Sequence, residues 1–165
     1  MKKKTTVQSK PKSKNGEVRH ATVKDAAQIQ NIVNYYAKKD LILARSLNEI
    51  YENIRDFAVI EKKGKIIACG ALHICWDDLA EIKSLAVTPR NKRKGCGGKI
   101  VQYLFHDAEA LGIPRVFALT YQVEFFSSLG FRRIEMESLP KKIWADCIKC
   151  VRFANCNEVA MTIDL

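Results

Sequence analysis

The chain has 165 residues, 47% hydrophobic and 28% charged, which fits one globular domain with a real core. Its formal net charge is +10, yet Lys2, Lys3, Lys4, Lys10, Lys12 and Lys14 supply six of those charges before the first acid, Glu17. Residues 17–165 carry 22 basic and 18 acidic side chains, a balance that argues against a surface built to bind nucleic acid by bulk charge.

Residues 1–16 have no apolar run and no periodicity, so they are expected to be a disordered Lys-rich tail. The tail lacks the apolar centre of a secretory signal, and no stretch reaches membrane-spanning length. The expectation is a cytoplasmic protein with no membrane partner and no specific nucleic-acid partner. A homodimer stays open.

Glu17 to Ala21 reads as a first strand. Thr22-Val-Lys-Asp25 has the form of a capping box, and Ile29, Ile32, Val33 and Tyr36 follow at helical spacing to about Ala37. Ser46-Leu-Asn-Glu49 is a second capping box, opening a helix with Leu47, Ile50, Tyr51 and Ile54 as its apolar face. Phe57 to Glu61 and Lys65 to Trp76 are β-rich runs about a Lys62-Lys63-Gly64 turn, and Ala80 to Val87 is a third run after Asp77-Asp78. A long helix follows Gly95, Gly97 and Gly98, with Ile100, Val101, Leu104, Phe105, Ala108 and Leu111 on one face, and it stops at Gly112 and Pro114. Arg115 to Leu119, a short helix from Glu124 to Leu129, Phe131 to Met136 and Val159 to Ile163 complete the pattern. The order predicts a mixed α/β, α+β fold in one domain over residues 17–165.

The most informative stretch is Leu85-Ala-Val-Thr-Pro-Arg-Asn-Lys-Arg-Lys-Gly-Cys-Gly-Gly-Lys99. A buried strand enters a glycine-containing loop and passes directly into a long amphipathic helix. The first N–H groups of a helix have no partner within it and together carry about half a positive charge. Glycines let a ligand approach that backbone closely, and Arg90, Lys92, Arg93, Lys94 and Lys99 add side-chain charge. The combination suits a pyrophosphate or similar polyanion. No Gly-Lys-Ser/Thr follows, so it is no Walker loop, and the glycines do not give G-x-G-x-x-G.

Val87-x-Pro89 followed by Lys92-x-x-Gly95-x-Gly97 before an Ile/Val/Leu helix resembles the acetyl-CoA signature of GNAT acetyltransferases. That signature usually has Arg or Gln where Lys92 stands, a departure that backbone recognition tolerates. Glu124-Phe-Phe-Ser-Ser-Leu-Gly-Phe131 resembles the family's short helix ending in Leu-Gly-Phe. The two cover most of residues 18–136 in the family's order. Within the superfamily the chain is most similar to short, single-domain N-acetylglutamate synthases. That likeness rests on Ile42-Leu-Ala-Arg-Ser46, Cys69-Gly-Ala-Leu-His73, Asp78-Leu-Ala-Glu-Ile82, Leu85-Ala-Val87, Phe117-Ala-Leu-Thr120, Glu124-Phe-Phe126 and Leu139-Pro140.

The resemblance implies a GNAT fold, a mostly antiparallel sheet flanked by helices. It also implies transfer of acetyl from acetyl-CoA to the α-amino group of L-glutamate or L-glutamine, opening arginine biosynthesis. A protein N-terminus, a lysine or another small amine is the alternative acceptor. Such chemistry needs a base for the acceptor amine, donors for the oxyanion and a proton or charge partner for the thiolate. Glu81 matches the family's general base. Leu85, Ala86, Val87, Lys92, Arg93, Lys94, Gly95, Cys96, Gly97, Gly98 and Phe126 match its cofactor site, with the Leu85 and Val87 N–H groups as donors. Phe126 stands where many members have an acidic Tyr, which leaves water, the product ammonium or Tyr121 to protonate the leaving group. A glutamate acceptor needs cations: Arg45 first, then Lys83, with Lys142 and Arg152 as further candidates.

Cys147-x-x-Cys150 and Cys156 are three thiols at spacings that suit a shared structural zinc, against the alternative of reduced thiols under a C-terminal loop. The Cys-containing segment 139–158 is expected near the acceptor site. Cys69, Cys75 and Cys96 read as small buried thiols. His20, His73 and His106 are scattered and read as hydrogen-bonded structure; His73 alone belongs to the resemblance.

Overall fold

A computed structural model describes residues 16–140, 148 and 156–165 of the chain. Seven strands form one mixed sheet in the order β1-β2-β3-β4-β5-β7-β6. They are β1 (Val18–His20), β2 (Phe57–Lys62), β3 (Lys65–Trp76), β4 (Leu79–Val87), β5 (Arg115–Thr120), β6 (Arg132–Arg133) and β7 (Val159–Asp164). Every neighbouring pair is antiparallel except β4–β5, where the crossover through a helix makes the strands parallel. The helices are α1 (Ala26–Ala37), α2 (Leu47–Glu52), α3 (Cys96–Ala110) and α4 (Val123–Ser128).

The helix starts follow from local chemistry. The Asp25 carboxylate accepts the Thr22 N–H at 2.7 Å and closes a 3-10 turn that leads into α1. At α2, Glu49 Oε2 accepts the Ser46 N–H at 2.7 Å while Ser46 Oγ accepts the Glu49 N–H at 3.2 Å, a reciprocal box. Asp25 is also held by Arg19, at 2.7 and 3.0 Å, and Arg19 reaches Glu61 at 2.7 Å. Burial opposes ionisation of Asp25, but the bonds from Arg19 and Thr22 outweigh it and hold the carboxyl below its ordinary value.

The sheet has two differently used faces. On one, α3 and α4 bury Ile100, Val101, Leu104, Phe126 and Phe131 against Ala58, Ile60, Leu72, Ile82, Val116 and Met161. On the other, Ile29, Ile32 and Val33 of α1 and Ile50 of α2 cover Phe57, Val59, Cys69, Ala71 and Ala86. Each such fully buried Ile, Leu or Val contributes about 1.5–3 kcal/mol relative to exposure.

Several expectations shift at the element ends. Tyr51 is exposed on α2, and Ile54 lies in the 3-10 turn after it, because α2 stops at Glu52. Leu111 caps α3 with its side chain in water, since Gly112 at φ +75° turns the chain away there. The strand expected over 131–136 pairs only at Arg132 and Arg133, and the chain then enters a 3-10 turn at Met136–Ser138. The Lys-rich segment 1–15 lies outside the described residues. No helix among those described is long and apolar enough to cross a membrane.

Candidate active site

The site begins with a fault in β4. Lys83 pairs with Ala71 and Ala86 with Cys69, so Ser84 and Leu85 together face the single residue Gly70. This bulge puts Ser84 at φ +53°, a conformation costing a non-glycine residue roughly 1–3 kcal/mol. Because side chains alternate along a strand, the extra residue changes which face each one meets. Lys83 and Ala86 sit on the α1–α2 side, and Leu85 and Val87 pack toward α3. Gly70 is required here, since a Cβ would lie 2.7 Å from Ile100 Cγ2.

Next to the bulge the sheet opens. The parallel β4–β5 ladder runs from Leu79/Arg115 to Glu81/Phe117 and ends, although β4 continues to Val87 and β5 to Thr120. The Thr88 N–H bonds back to Ile67 O at 2.8 Å, so by alternation the Val87 peptide turns away from β3, into the opening. Tyr36 of α1 donates its hydroxyl to Val87 O, and the Lys92 ammonium lies 4.7 Å from the Tyr36 ring centroid.

Beyond Val87 the loop carries Arg93 at φ +58° and Gly95 at φ +77°, the latter as N-cap of α3. Lys99 is the residue whose N–H reaches Gly95 O, at 3.1 Å, so the N–H groups of Cys96, Gly97 and Gly98 have no acceptor within the helix. Lys92, Arg93, Lys94 and Lys99 are exposed around this point. A Cβ on Gly97 would meet the Phe125 ring at 3.2 Å. Phe125 is therefore the aromatic ring beside the helix start. Phe126, expected there, is 4% exposed and packs edge-on against Phe131 in the core, because α4 turns its buried face inward at that residue.

On the opposite face, a cavity of about 210 Å³ lies between α2 and strands β2 to β4. Its wall includes Arg45, Lys83, Glu49, Asp56, His73 and Ser84. The Arg45 peptide is clamped by Asn34 of α1, whose Oδ1 accepts the Arg45 N–H at 2.9 Å and whose Nδ2 donates to Arg45 O at 3.0 Å. The Arg45 guanidinium lies 3.9 Å from Glu49. Glu81 stands beside the cavity with Lys83, Oε2 to Nζ 4.0 Å, their side chains 14% and 18% exposed. Tyr121 follows the last residue of β5 at the open end of the gap and does not line the cavity.

The structure brings Arg45, Lys83 and Glu81 to one face of the sheet and runs the stretch from Leu85 to Gly98 from the end of β4 into the start of α3. Lys142, Arg152, Cys147 and Cys150 lie outside the described residues. Cys156 is exposed, with Sγ 3.8 Å from Glu158 Oε2, and no group of three or more metal-ligating side chains occurs among the described residues, so the expected zinc finds no support there. Cys69 is the buried thiol expected, its pKa pushed up to about 12 by burial, whereas Cys75 and Cys96 are half-buried. Sequence reasoning missed three features: the bulge, which places a left-handed residue at a serine; Tyr36, which reads as plain helix core; and the pairing of His73 with Asp56, at 3.1 Å.

The model of the Acetyltransferase (GNAT) family aligns with residues 24–131. The chain belongs to that family. An uncharacterized N-acetyltransferase of Chlorobaculum tepidum is 40% identical to this GNAT protein over 87% of the chain and 93% of its own length. The amino-acid acetyltransferase of Mycobacterium tuberculosis is 41% identical over 72% of the chain and 69% of its own length. Among solved structures, a Mycobacterium tuberculosis protein in complex with CoA and a second ligand superposes with a TM-score of 0.78 at 34% identity, covering 90% of this chain and 98% of that one. The N-acetylglutamate synthase of Neisseria gonorrhoeae, complexed with coenzyme A and N-acetyl-glutamate, superposes at 0.82 and 26% identity, covering 93% of this chain but 36% of that one. The GNAT fold expected from the resemblance is the fold observed.

Proposed function

We propose that the protein transfers acetyl from acetyl-CoA to the α-amino group of a small amino acid, L-glutamate or L-glutamine. The observation carrying this reading is the small cavity walled by Arg45 and Lys83, directly beside Glu81. At about 210 Å³ it is below the range of drug-sized pockets, which favours a free amino acid over a peptide. Two cations suit a carboxylate-bearing acceptor. The relatives named amino-acid acetyltransferase, and the neighbour complexed with N-acetyl-glutamate, support the same acceptor class.

In this reading the residues divide the work. The Leu85 and Val87 N–H groups hold acetyl-CoA by its carbonyl and pantetheine arm, and the orphan N–H groups of Cys96, Gly97 and Gly98 take its pyrophosphate, with Lys92, Arg93, Lys94 and Lys99 adding charge. The amine-bearing substrate reaches the thioester from the opposite face of the sheet. Arg45 and Lys83 orient its carboxylates. Glu81 removes a proton from the ammonium, directly or through water, because only the free amine is a nucleophile. Activity accordingly rises with pH until the amine is deprotonated in the site.

The test is coenzyme A release from acetyl-CoA against all twenty amino acids, followed by mass measurement of the product. Turnover confined to glutamate or glutamine supports the reading. Tight acetyl-CoA binding with silence across the panel turns the search to peptide and amine acceptors.

A further inference from the structure

We infer that His73, held by Asp56, is the exit through which the acceptor's proton leaves the site. The inference rests on the reading of Glu81 as base. The reaction demands such an exit: an ammonium and a thioester become an amide and a thiol, so one proton per turnover must reach solvent. Glu81 is a poor place to release it, since its side chain is only 14% exposed and stands beside Lys83.

His73 is placed to receive it. It is the cross-strand partner of Glu81 in the β3–β4 ladder, on the same face of the sheet. Directly opposed residues have Cβ atoms about 5 Å apart, within reach of two long side chains. At 38% exposure His73 meets both the cavity and water. Its Nδ1 lies 3.1 Å from Asp56 Oδ2, in the 3-10 turn after α2. A carboxylate only accepts, so neutral His73 carries its hydrogen on Nδ1 and presents Nε2 as an acceptor. The step balances simply. The proton on a Glu81 oxygen moves to His73 Nε2, restoring the Glu81 carboxylate. The imidazolium, hydrogen-bonded to Asp56 through Nδ1, then gives a proton to water. The charged groups facing His73 are Asp56 below it, Glu81 and Lys83 from β4, and Arg45, Glu49 and Glu52 across the cavity.

This makes His73 a positioning and relay residue, distinct from Glu81, and the test must separate it from a structural role. Steady-state kinetics with saturating acetyl-CoA, using whichever of L-glutamate and L-glutamine turns over faster, are measured from pH 5.5 to 9 for wild type, His73→Ala, His73→Gln, Asp56→Asn and Glu81→Gln. His73→Ala is expected to lose about tenfold or more in kcat at pH 7, with acetyl-CoA affinity unchanged. Added imidazole restores its rate in proportion to concentration. His73→Gln keeps the size but not the relay and matches the alanine variant. Asp56→Asn loses the acceptor that holds the His73 ring and is expected to lower kcat, with acetyl-CoA affinity unchanged. Full kcat in His73→Ala, or a loss that imidazole leaves untouched in a variant that binds acetyl-CoA normally, overturns the relay. If Glu81→Gln stays active, the base assignment fails first; if wild type turns over neither amino acid, the acceptor reading alone fails, and the same variants are compared on the peptide or amine that is acetylated.

Discussion

On the α3 side of the sheet, the groups proposed to meet the ligand belong to the main chain: the peptides of Leu85 and Val87 and the start of α3, whose cap Gly95 has no side chain. On the α1–α2 side they are the side chains of Arg45, Lys83 and Glu81, backed by His73 and Asp56, and the five are drawn from a loop, two strands and a turn. A backbone site depends on conformation, so it needs particular residues only where φ is left-handed or a Cβ would collide. A side-chain site depends on charge and reach, so each position is replaceable singly with a measurable loss. The contrast implies that substitutions on the two sides fail in different kinetic parameters.

The largest effect belongs to Glu81. Glu81→Gln is expected to reduce kcat by about 10²–10⁴-fold while leaving acetyl-CoA binding intact. A parallel loss of acetyl-CoA affinity, read by calorimetry, breaks the separation of the two sides. Arg45→Ala comes next. Loss of a charge-assisted contact raises the amino-acid KM by about ten- to hundredfold, with the acetyl-CoA KM unchanged. An unaltered amino-acid KM removes Arg45 from the acceptor site.

Asp25→Asn probes the scaffold instead of either side. Removing a carboxylate bonded to Arg19 and Thr22 costs about 2 kcal/mol of stability at pH 7, measured by urea unfolding. The folded carboxyl lies below its unfolded value near about 3.9. Its stabilisation is therefore complete above that unfolded value and is lost as pH falls through the lower folded one. A deficit that persists unchanged in strong acid contradicts the ionic origin. Tyr36→Phe is the smallest and the most diagnostic, since Tyr36 is the contact from α1 to the opening. One lost hydrogen bond to Val87 predicts a rise of roughly three- to tenfold in the acetyl-CoA KM and little change in kcat. A change confined to the amino-acid KM reverses its assignment.

The legibility of each side follows the same division. The presence and order of the helices, both capping boxes and the loop from Pro89 to Lys99 were readable because glycines, caps and apolar spacing act over a few residues. Phe126 went astray because its motif position says nothing about which ring of Phe125-Phe126 turns inward; packing of α4 against Phe131 settles that. Tyr51 and Leu111 kept helical spacing but fell at helix ends, where the apolar stripe no longer faces a partner.

What the sequence by itself determined was the order of elements, the family resemblance and the run of glycines and cations around the α3 start, since each resides in contiguous residues. Only the tertiary structure decided the bulge at Ser84, the register that sets His73 opposite Glu81 and the cavity that joins Arg45 to Lys83. Those depend on strand pairing between distant segments, where a shift of one residue moves every side chain to the other face.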